Sequence, residues 1–266
     1  MADFLVGKRC IITGASSGIG RSIAKILVNE YSCTVIGVAR REEKLRELAD
    51  ELGGRFDYIV GDVTEDCWLD RAQSILTDAP RDTVLFSVAG ILPKFRSFEK
   101  SDASENGRVL DTNFNAVTRS VARLLPFLGK GGGIVIVSSS AALAPLIGTA
   151  VYSSSKAAIS AFGEALREEM RGRLYVGMMY PGFTKTPLFD VQNISGKSSI
   201  VLKIASDCDR VAGQIVKRCN KRKSRTVIGF DAHFMDIFYR IAPRVSLRFL
   251  KTVITKSSLE IFEDVK

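Results

Sequence analysis

Short apolar runs alternate with amphipathic segments along most of this chain, and that alternation leaves few folds open. Residues 9–13, 34–39, 58–61, 83–89, 134–138, 174–180 and 226–229 read as strands. Residues 19–30, 41–52, 66–76, 103–128, 152–170 and 207–219 carry helical patterns between them. Strands that alternate with helices form βαβ units and a parallel sheet with helices on both faces. Right-handed crossovers then wind the sheet twice. Runs such as Ile134–Val137 are apolar without alternation, as strands covered on both faces must be. No internal repeat, low-complexity linker or boundary interrupts the pattern before about residue 230.

The first strand runs into Thr13-Gly14-Ala15-Ser16-Ser17-Gly18-Ile19-Gly20, which opens a helix. Gly14 permits a tight turn, Gly18 lets backbone approach a pyrophosphate, and Gly20 lets the helix sit close to the strand. The helix N-terminus offers free N–H groups and a positive dipole end to phosphate. A glycine cluster alone is a weak signal, and its place in the first βαβ unit strengthens it. The fold expected is therefore a single Rossmann-type doubly wound seven-stranded sheet with a C-terminal helical extension. Residues 1–230 would form the dinucleotide-binding and catalytic domain, and 231–266 an amphipathic extension.

At the end of the second strand, an acid would accept from a ribose 2′-OH, whereas an arginine accommodates a 2′-phosphate. This chain reads Val38-Ala39-Arg40-Arg41-Glu42-Glu43. Guanidinium donates two parallel hydrogen bonds to phosphate, so Arg40 and Arg41 point to NADP(H). The alternative is that both pair with Glu42 and Glu43 at a solvated helix start. Asp62-Val63 closes the third strand. Asp62 either accepts from an adenine amino group or caps the next helix beside Thr64.

Tyr152-Ser-Ser-Ser-Lys156 opens a later helix and places phenol and ammonium on one face. A free phenol has a pKa of about 10. A nearby ammonium favours phenolate and brings that value toward the range of general acid/base work. Ser139 follows the fifth strand, at the sheet edge where such folds bind ligands.

The set Thr13–Gly20, Asn113, Ser139, Tyr152-x-x-x-Lys156 and Pro181-Gly182-x-x-x-Thr186 resembles the short-chain dehydrogenase/reductase family, over roughly residues 5–230. The resemblance implies hydride transfer between a nicotinamide and a carbonyl or secondary alcohol. It implies a site of Asn113, Ser139, Tyr152 and Lys156. Tyr152 would transfer the proton, Ser139 polarise the carbonyl, and Lys156 hold the nicotinamide ribose and lower the phenol's pKa. Asn113 would anchor a relay water through its backbone. Cofactor contacts would come from Gly14, Ser16, Ser17, Gly18, Ile19, Gly20, Arg40, Arg41, Asp62, Val63, Ala89, Gly90, Tyr152, Lys156, Pro181, Gly182, Thr184 and Thr186. One departure is Ser87-Val88-Ala89-Gly90, where the family has Asn-Asn-Ala-Gly. The small pair survives, both amide side chains are lost, and Ser87 is the candidate to replace one of their hydrogen bonds.

Residues 189–206 are where the family places a mobile lid. Leu188, Phe189, Val191, Ile194, Ile200, Val201 and Leu202 would make it apolar, which suits a steroid, a bile-acid-like molecule or a long-chain ketone. A non-catalytic NADP(H)-sensing scaffold, or the same chemistry on a sugar-like substrate, are the alternatives.

Lys and Arg number 38 against 29 Asp and Glu, a net charge of +9. That excess suits a phosphorylated cofactor, a polyanion or an anionic membrane. Much of it lies in Lys217-Arg218-Cys219-Asn220-Lys221-Arg222-Lys223 and in the tail from Asp231 to Phe262. There Arg240, Arg244, Arg248, Lys251 and Lys256 interleave with Phe, Ile, Leu and Val. Such a segment lies on a membrane surface, lines a substrate pocket or joins subunits; it resembles the extended C-termini of family members that handle lipids. No nucleic-acid module precedes it. Five scattered cysteines and a single histidine argue against a disulfide framework, a metal site or a Ser-His-Asp triad. The N-terminus lacks a basic start followed by an apolar stretch, so no signal peptide is expected. The uncharged stretch 131–155, broken by Gly, Pro and Ser, reads as strand and loop rather than a membrane span. The expectation is a cytoplasmic homodimer or homotetramer, with peripheral membrane contact through the tail as a further option.

Overall fold

A computed structural model describes residues 3–79, 82–186, 205–256 and 260–265. Seven parallel strands, β1 (Arg9–Thr13), β2 (Thr34–Ala39), β3 (Phe56–Val60), β4 (Thr83–Ser87), β5 (Gly133–Val137), β6 (Tyr175–Pro181) and β7 (Arg225–Ile228), lie in the order β3-β2-β1-β4-β5-β6-β7. The doubly wound sheet is as expected. The chain winds one way through β1, β2 and β3, then crosses back to β4 beside β1. Loops diverge at that reversal, and such sheets bind ligands in the crevice it leaves.

Neighbouring residues of β1 face opposite sides of the sheet, and both sides are covered. Cys10 and Ile12 pack with Ile23 and Leu27 of α1 (Gly18–Tyr31), Leu45 and Leu48 of α2 (Glu42–Leu52), and Ile215 and Val216 of α7 (Cys208–Asn220). Ile11 packs on the other side with Trp68 and Leu69 of α3 (Cys67–Asp78), Val117 and Val121 of α5 (Ala116–Leu124), and Ile159 and Leu166 of α6 (Ala150–Glu169). Burying side chains of this size stabilises the fold by roughly 1.5–3 kcal/mol each before entropy is counted. The whole of β1, β4 and β5 is buried, which explains their unalternating sequences.

The single helix expected over 103–128 is instead α4 (Ala103–Leu110), a π-helical turn (Asp111–Asn115) and α5. A 3-10 turn at Leu125–Phe127 follows, where Pro126 has no N–H to continue an α-helix. Asp102 caps α4 properly, accepting from the N–H groups of Ser104 and Glu105. Beyond β7 come α8 (Phe230–Ile241) and α9 (Pro243–Lys256), then a 3-10 turn at Glu260–Val265.

This extension folds back onto the sheet's carboxyl edge. Ile254, Ile261 and Phe262 join Leu92, Phe95, Val109 and Tyr152 in a third buried cluster. The Phe95 and Phe262 rings meet edge to face at 5.2 Å, and the Ser97 N–H donates to Asp264 O at 2.8 Å. Of the tail's three expected roles, a pocket wall is the one these contacts display.

Candidate active site

Loops at the carboxyl ends of the strands enclose a cavity of about 1100 Å³. All the residues expected to bind a dinucleotide line it, from Gly14 through Arg40, Asp62, Ala89 and Tyr152 to Thr186. Ser139 does too. Asn113 stands behind the wall, 1% exposed. The expected lid residues between 189 and 202, with Leu188, lie outside the described residues.

The glycine turn has little room for side chains. Gly14 has φ +75°, and a Cβ there would come within 3.0 Å of Ala89 Cα. A Cβ on Gly20 would sit 2.3 Å from Gly14 O. Ser17 precedes α1 without capping it through its side chain. First-turn N–H groups unclaimed by a capping side chain, beside a cradle that excludes Cβ atoms, fit a pyrophosphate.

Arg40 and Arg41 take different places. The Arg41 guanidinium donates to Ser16 Oγ at 3.1 Å and Ser17 Oγ at 2.8 Å, bracing the glycine turn. Arg40 is exposed, with Nη1 3.5 Å from Asp62 Oδ2. Neither arginine pairs with Glu42, whose partner is Arg46. Asp62 does not cap α3, which begins after Asp66. Its Oδ1 accepts from the Thr64 N–H at 2.9 Å and the Thr64 hydroxyl at 2.8 Å. Burial raises the Asp62 pKa, but those two hydrogen bonds and Arg40 outweigh it and hold the carboxyl below its ordinary range.

At the other end, Tyr152 and Lys156 share the inner face of α6 and both are buried. Lys156 Nζ donates to Val137 O at 3.3 Å and lies 5.9 Å from the Tyr152 ring centroid. Burial brings the Lys156 pKa down to about 8. The Tyr152 pKa differs from the sequence expectation. Burial raises it above 10, and a hydrogen bond with Ser139 opposes that only in part. The wall that buries it includes Ile254 and Phe262 of the extension, whose position the Tyr-x-x-x-Lys spacing does not specify.

The side chain of Asn113 is held in place by its neighbours. It accepts from the Ile91 N–H at 2.8 Å and donates to Ile91 O at 3.0 Å and Ser155 Oγ at 3.1 Å. Ser155 in turn donates to Tyr152 O at 2.7 Å. The π turn is thus tied both to the loop following β4 and to the helix carrying Tyr152, and π turns recur at functional sites. Gly90 lies between them: a Cβ there would sit 3.1 Å from Asn113 Oδ1 and 3.4 Å from Lys156 Nζ.

Two positions escaped the sequence reading. The Thr13 hydroxyl accepts from the N–H groups of Val88 (3.1 Å) and Ala89 (3.2 Å). It, rather than Ser87, supplies hydrogen bonds beside the departed amides. Asp231, in the first turn of α8, accepts from the Phe183 N–H at 2.7 Å and lines the cavity. Its carboxylate fills the space beside Gly182, where a Cβ would be 2.2 Å from Oδ2. In sequence Asp231 carries only the ordinary signal of an acid at a helix start. Asp231→Ala is expected to lower stability by about 2 kcal/mol, the worth of a charge-assisted hydrogen bond. Urea unfolding against the wild type measures it, and an unchanged midpoint would contradict this anchoring.

The chain matches the family model for short chain dehydrogenase over residues 8–195. It belongs to the short-chain dehydrogenase family. This short-chain dehydrogenase is 35% identical over 179 residues to serine 3-dehydrogenase of Agrobacterium fabrum, covering 66% of this chain and 72% of that one. It is 33% identical over 210 residues to 11-beta-hydroxysteroid dehydrogenase 1A of Arabidopsis thaliana, covering 76% of this chain and 59% of the relative. Its fold superposes with a TM-score of 0.78 on a short-chain dehydrogenase from Streptomyces avermitilis, at 26% identity, covering 95% of this chain and 99% of that one. The family supports an oxidoreductase that uses a nicotinamide cofactor.

Proposed function

We propose that this short-chain dehydrogenase is an NADP(H)-dependent enzyme that interconverts a carbonyl and a secondary alcohol on a lipophilic substrate. The observation that carries the reading is convergence. Ser139, Tyr152 and Lys156 meet the glycine turn, Arg40 and Arg41 along one cavity. The far wall of that cavity is apolar: Leu146, Phe234, Met235, Leu250, Ile254 and Phe262. The hydroxysteroid-named relative agrees with a lipophilic substrate; the serine-named one is the counterexample that a polar substrate would follow.

When bound, the cofactor supplies or accepts the hydride. The chain's own residues do the rest. The glycine turn and the start of α1 hold the pyrophosphate, and Arg40 meets the 2′-phosphate while Arg41 keeps the turn in shape. Ser139 donates to the substrate oxygen, and Tyr152 gives that oxygen its proton in reduction or removes it in oxidation. Lys156 is mostly ammonium at neutral pH. Its positive charge beside the Tyr152 ring favours phenolate over phenol. That attraction opposes the burial that raises the phenol's pKa. The apolar wall excludes water from the reacting oxygen, which strengthens each of these interactions.

The test is turnover of NADPH by purified protein against steroid and long-chain ketones, with sugars and serine as the polar arm. Consumption on no compound would overturn the catalytic reading in favour of a scaffold. Preference for the polar arm would overturn the substrate class. For the cofactor, Arg40→Ala is expected to weaken NADPH binding about tenfold and leave NADH unchanged, in line with losing one charge-assisted hydrogen bond. Equal effects on both cofactors, measured by fluorescence titration, would remove the 2′-phosphate role.

A further inference from the structure

α8 and α9 form a hairpin whose inner side closes the cavity, and their outer side is unusual. On α8, Phe230, Phe234, Ile237 and Ile241 recur at helical spacing and are exposed, Phe230 by 87% and Ile241 by 78%. On α9, Val245, Phe249 and Val253 continue an exposed apolar row, each about half exposed. The Phe238 and Phe249 rings meet at 5.8 Å and join the two helices at this surface. Isolated exposed apolar side chains need no explanation, whereas a contiguous set of this kind marks an interaction surface.

Charge decides what covers it. α9 contains no Asp or Glu, and Arg244, Arg248 and Lys251 project beside its apolar row, all exposed. α8 has two acids, and both are engaged inward. Asp231 holds the Phe183 N–H, and Asp236 is buried between Arg225 and Arg240. The outer face is therefore apolar with a cationic border. Two copies meeting through it would press like charges together as the border is desolvated. An anionic lipid surface is complementary in both respects: headgroups meet the arginines and lysine, and acyl chains take up the apolar row. No helix among the described residues is long and apolar enough to cross a bilayer, so the contact would be peripheral.

We propose that the outer face of the α8–α9 hairpin docks this protein on an anionic membrane surface. Phe234 and Val253 belong both to that face and to the cavity lining. The docked face thereby leads into the cavity, which gives a lipophilic molecule a route from bilayer to Tyr152. Docking itself stands on the surface alone and does not depend on turnover.

Sedimentation of the full chain with vesicles, without substrate, tests it. Binding is expected to vesicles of phosphatidylcholine mixed with phosphatidylglycerol and to weaken as salt is raised. Replacing Arg244, Arg248 and Lys251 together by Gln is expected to weaken it roughly a hundredfold. The pair Phe230→Ser and Ile241→Ser is expected to weaken it roughly tenfold or more. These side chains lie outside the cavity, so NADPH binding is retained and reports the fold. Failure to bind the mixed vesicles overturns the proposal. Equal binding to pure phosphatidylcholine and to the Gln variant overturns the charge argument on which it rests. A dimer that dissociates when Phe230 and Ile241 become Ser assigns the face to a second copy, and a stoichiometric complex with an acidic protein that competes with vesicles assigns it to that partner; either result overturns it.

Discussion

Tyr152→Phe is expected to lower kcat/KM for carbonyl reduction about a thousandfold while NADPH binds as before. A positioned acid or base contributes roughly 10²- to 10⁴-fold to such steps. The substitution removes one oxygen and nothing else. The ring remains among Leu92, Phe95, Val109 and Phe262, which pack it in the wild type, so the cavity keeps its shape. Lys156 also keeps its hydrogen bond to Val137 O. A loss confined to catalysis therefore reports the proton, not the fold. Steady-state kinetics with fluorescence titration of the cofactor separate the two. A loss under tenfold would take the proton transfer away from Tyr152, and an equal loss in cofactor affinity would mean the cavity had been disturbed.

How much of this was legible beforehand follows from what each signal encodes. Strand–helix alternation reports burial on a fixed period, so the doubly wound sheet could be read strand by strand, with ends shifted by one or two residues, as in β3 (Phe56–Val60) against the expected 58–61. The Tyr152–Lys156 spacing fixes a shared helix face, and the structure has it. The glycine turn was legible because Gly14 and Gly20 stand where backbone from elsewhere excludes a Cβ. Less was legible wherever the outcome depends on what comes from far along the chain. The direction of the Tyr152 pKa depends on how deeply Ile254 and Phe262 bury it. Arg40 and Arg41 are one pair in sequence and two roles in space, because only Arg41 faces the serines of the turn. The π turn carries Asn113, bound to Ile91 and Ser155 at once, while its sequence reads as unbroken helix. The tail's amphipathic pattern said that one side would be buried. It did not say that the side would close the cavity, or that Asp231 would brace Phe183.

Lys156→Met is expected to abolish turnover and, at pH 7, to make the cofactor-free protein more stable by about 2 kcal/mol. The Lys156 pKa falls from 10.5 to about 8 because burial disfavours its charged form. Below pH 8 the amine is charged in both folded and unfolded chains, and the folded state bears the full penalty. That penalty is about 3 kcal/mol at about 1.4 kcal/mol per tenfold. Between pH 8 and 10.5 the unfolded state holds more protons than the folded one, so wild-type stability rises with pH. Methionine fills a similar volume without charge, so it gains the penalty back. It leaves Val137 O without its Nζ donor, which takes away about 1 kcal/mol. The variant's advantage should accordingly be largest at neutral pH and shrink toward pH 10.5, where Lys156 is neutral in both states. Urea unfolding of both proteins at pH 7 and near pH 10 reads this out. A variant less stable at pH 7, or a difference that does not narrow with pH, would show that the buried ammonium is not the strain inferred. If the difference behaves as expected, the ammonium is retained against the interest of the fold. In a cavity that also holds Tyr152 and Ser139, a buried ammonium is what the proposed chemistry on a substrate oxygen requires.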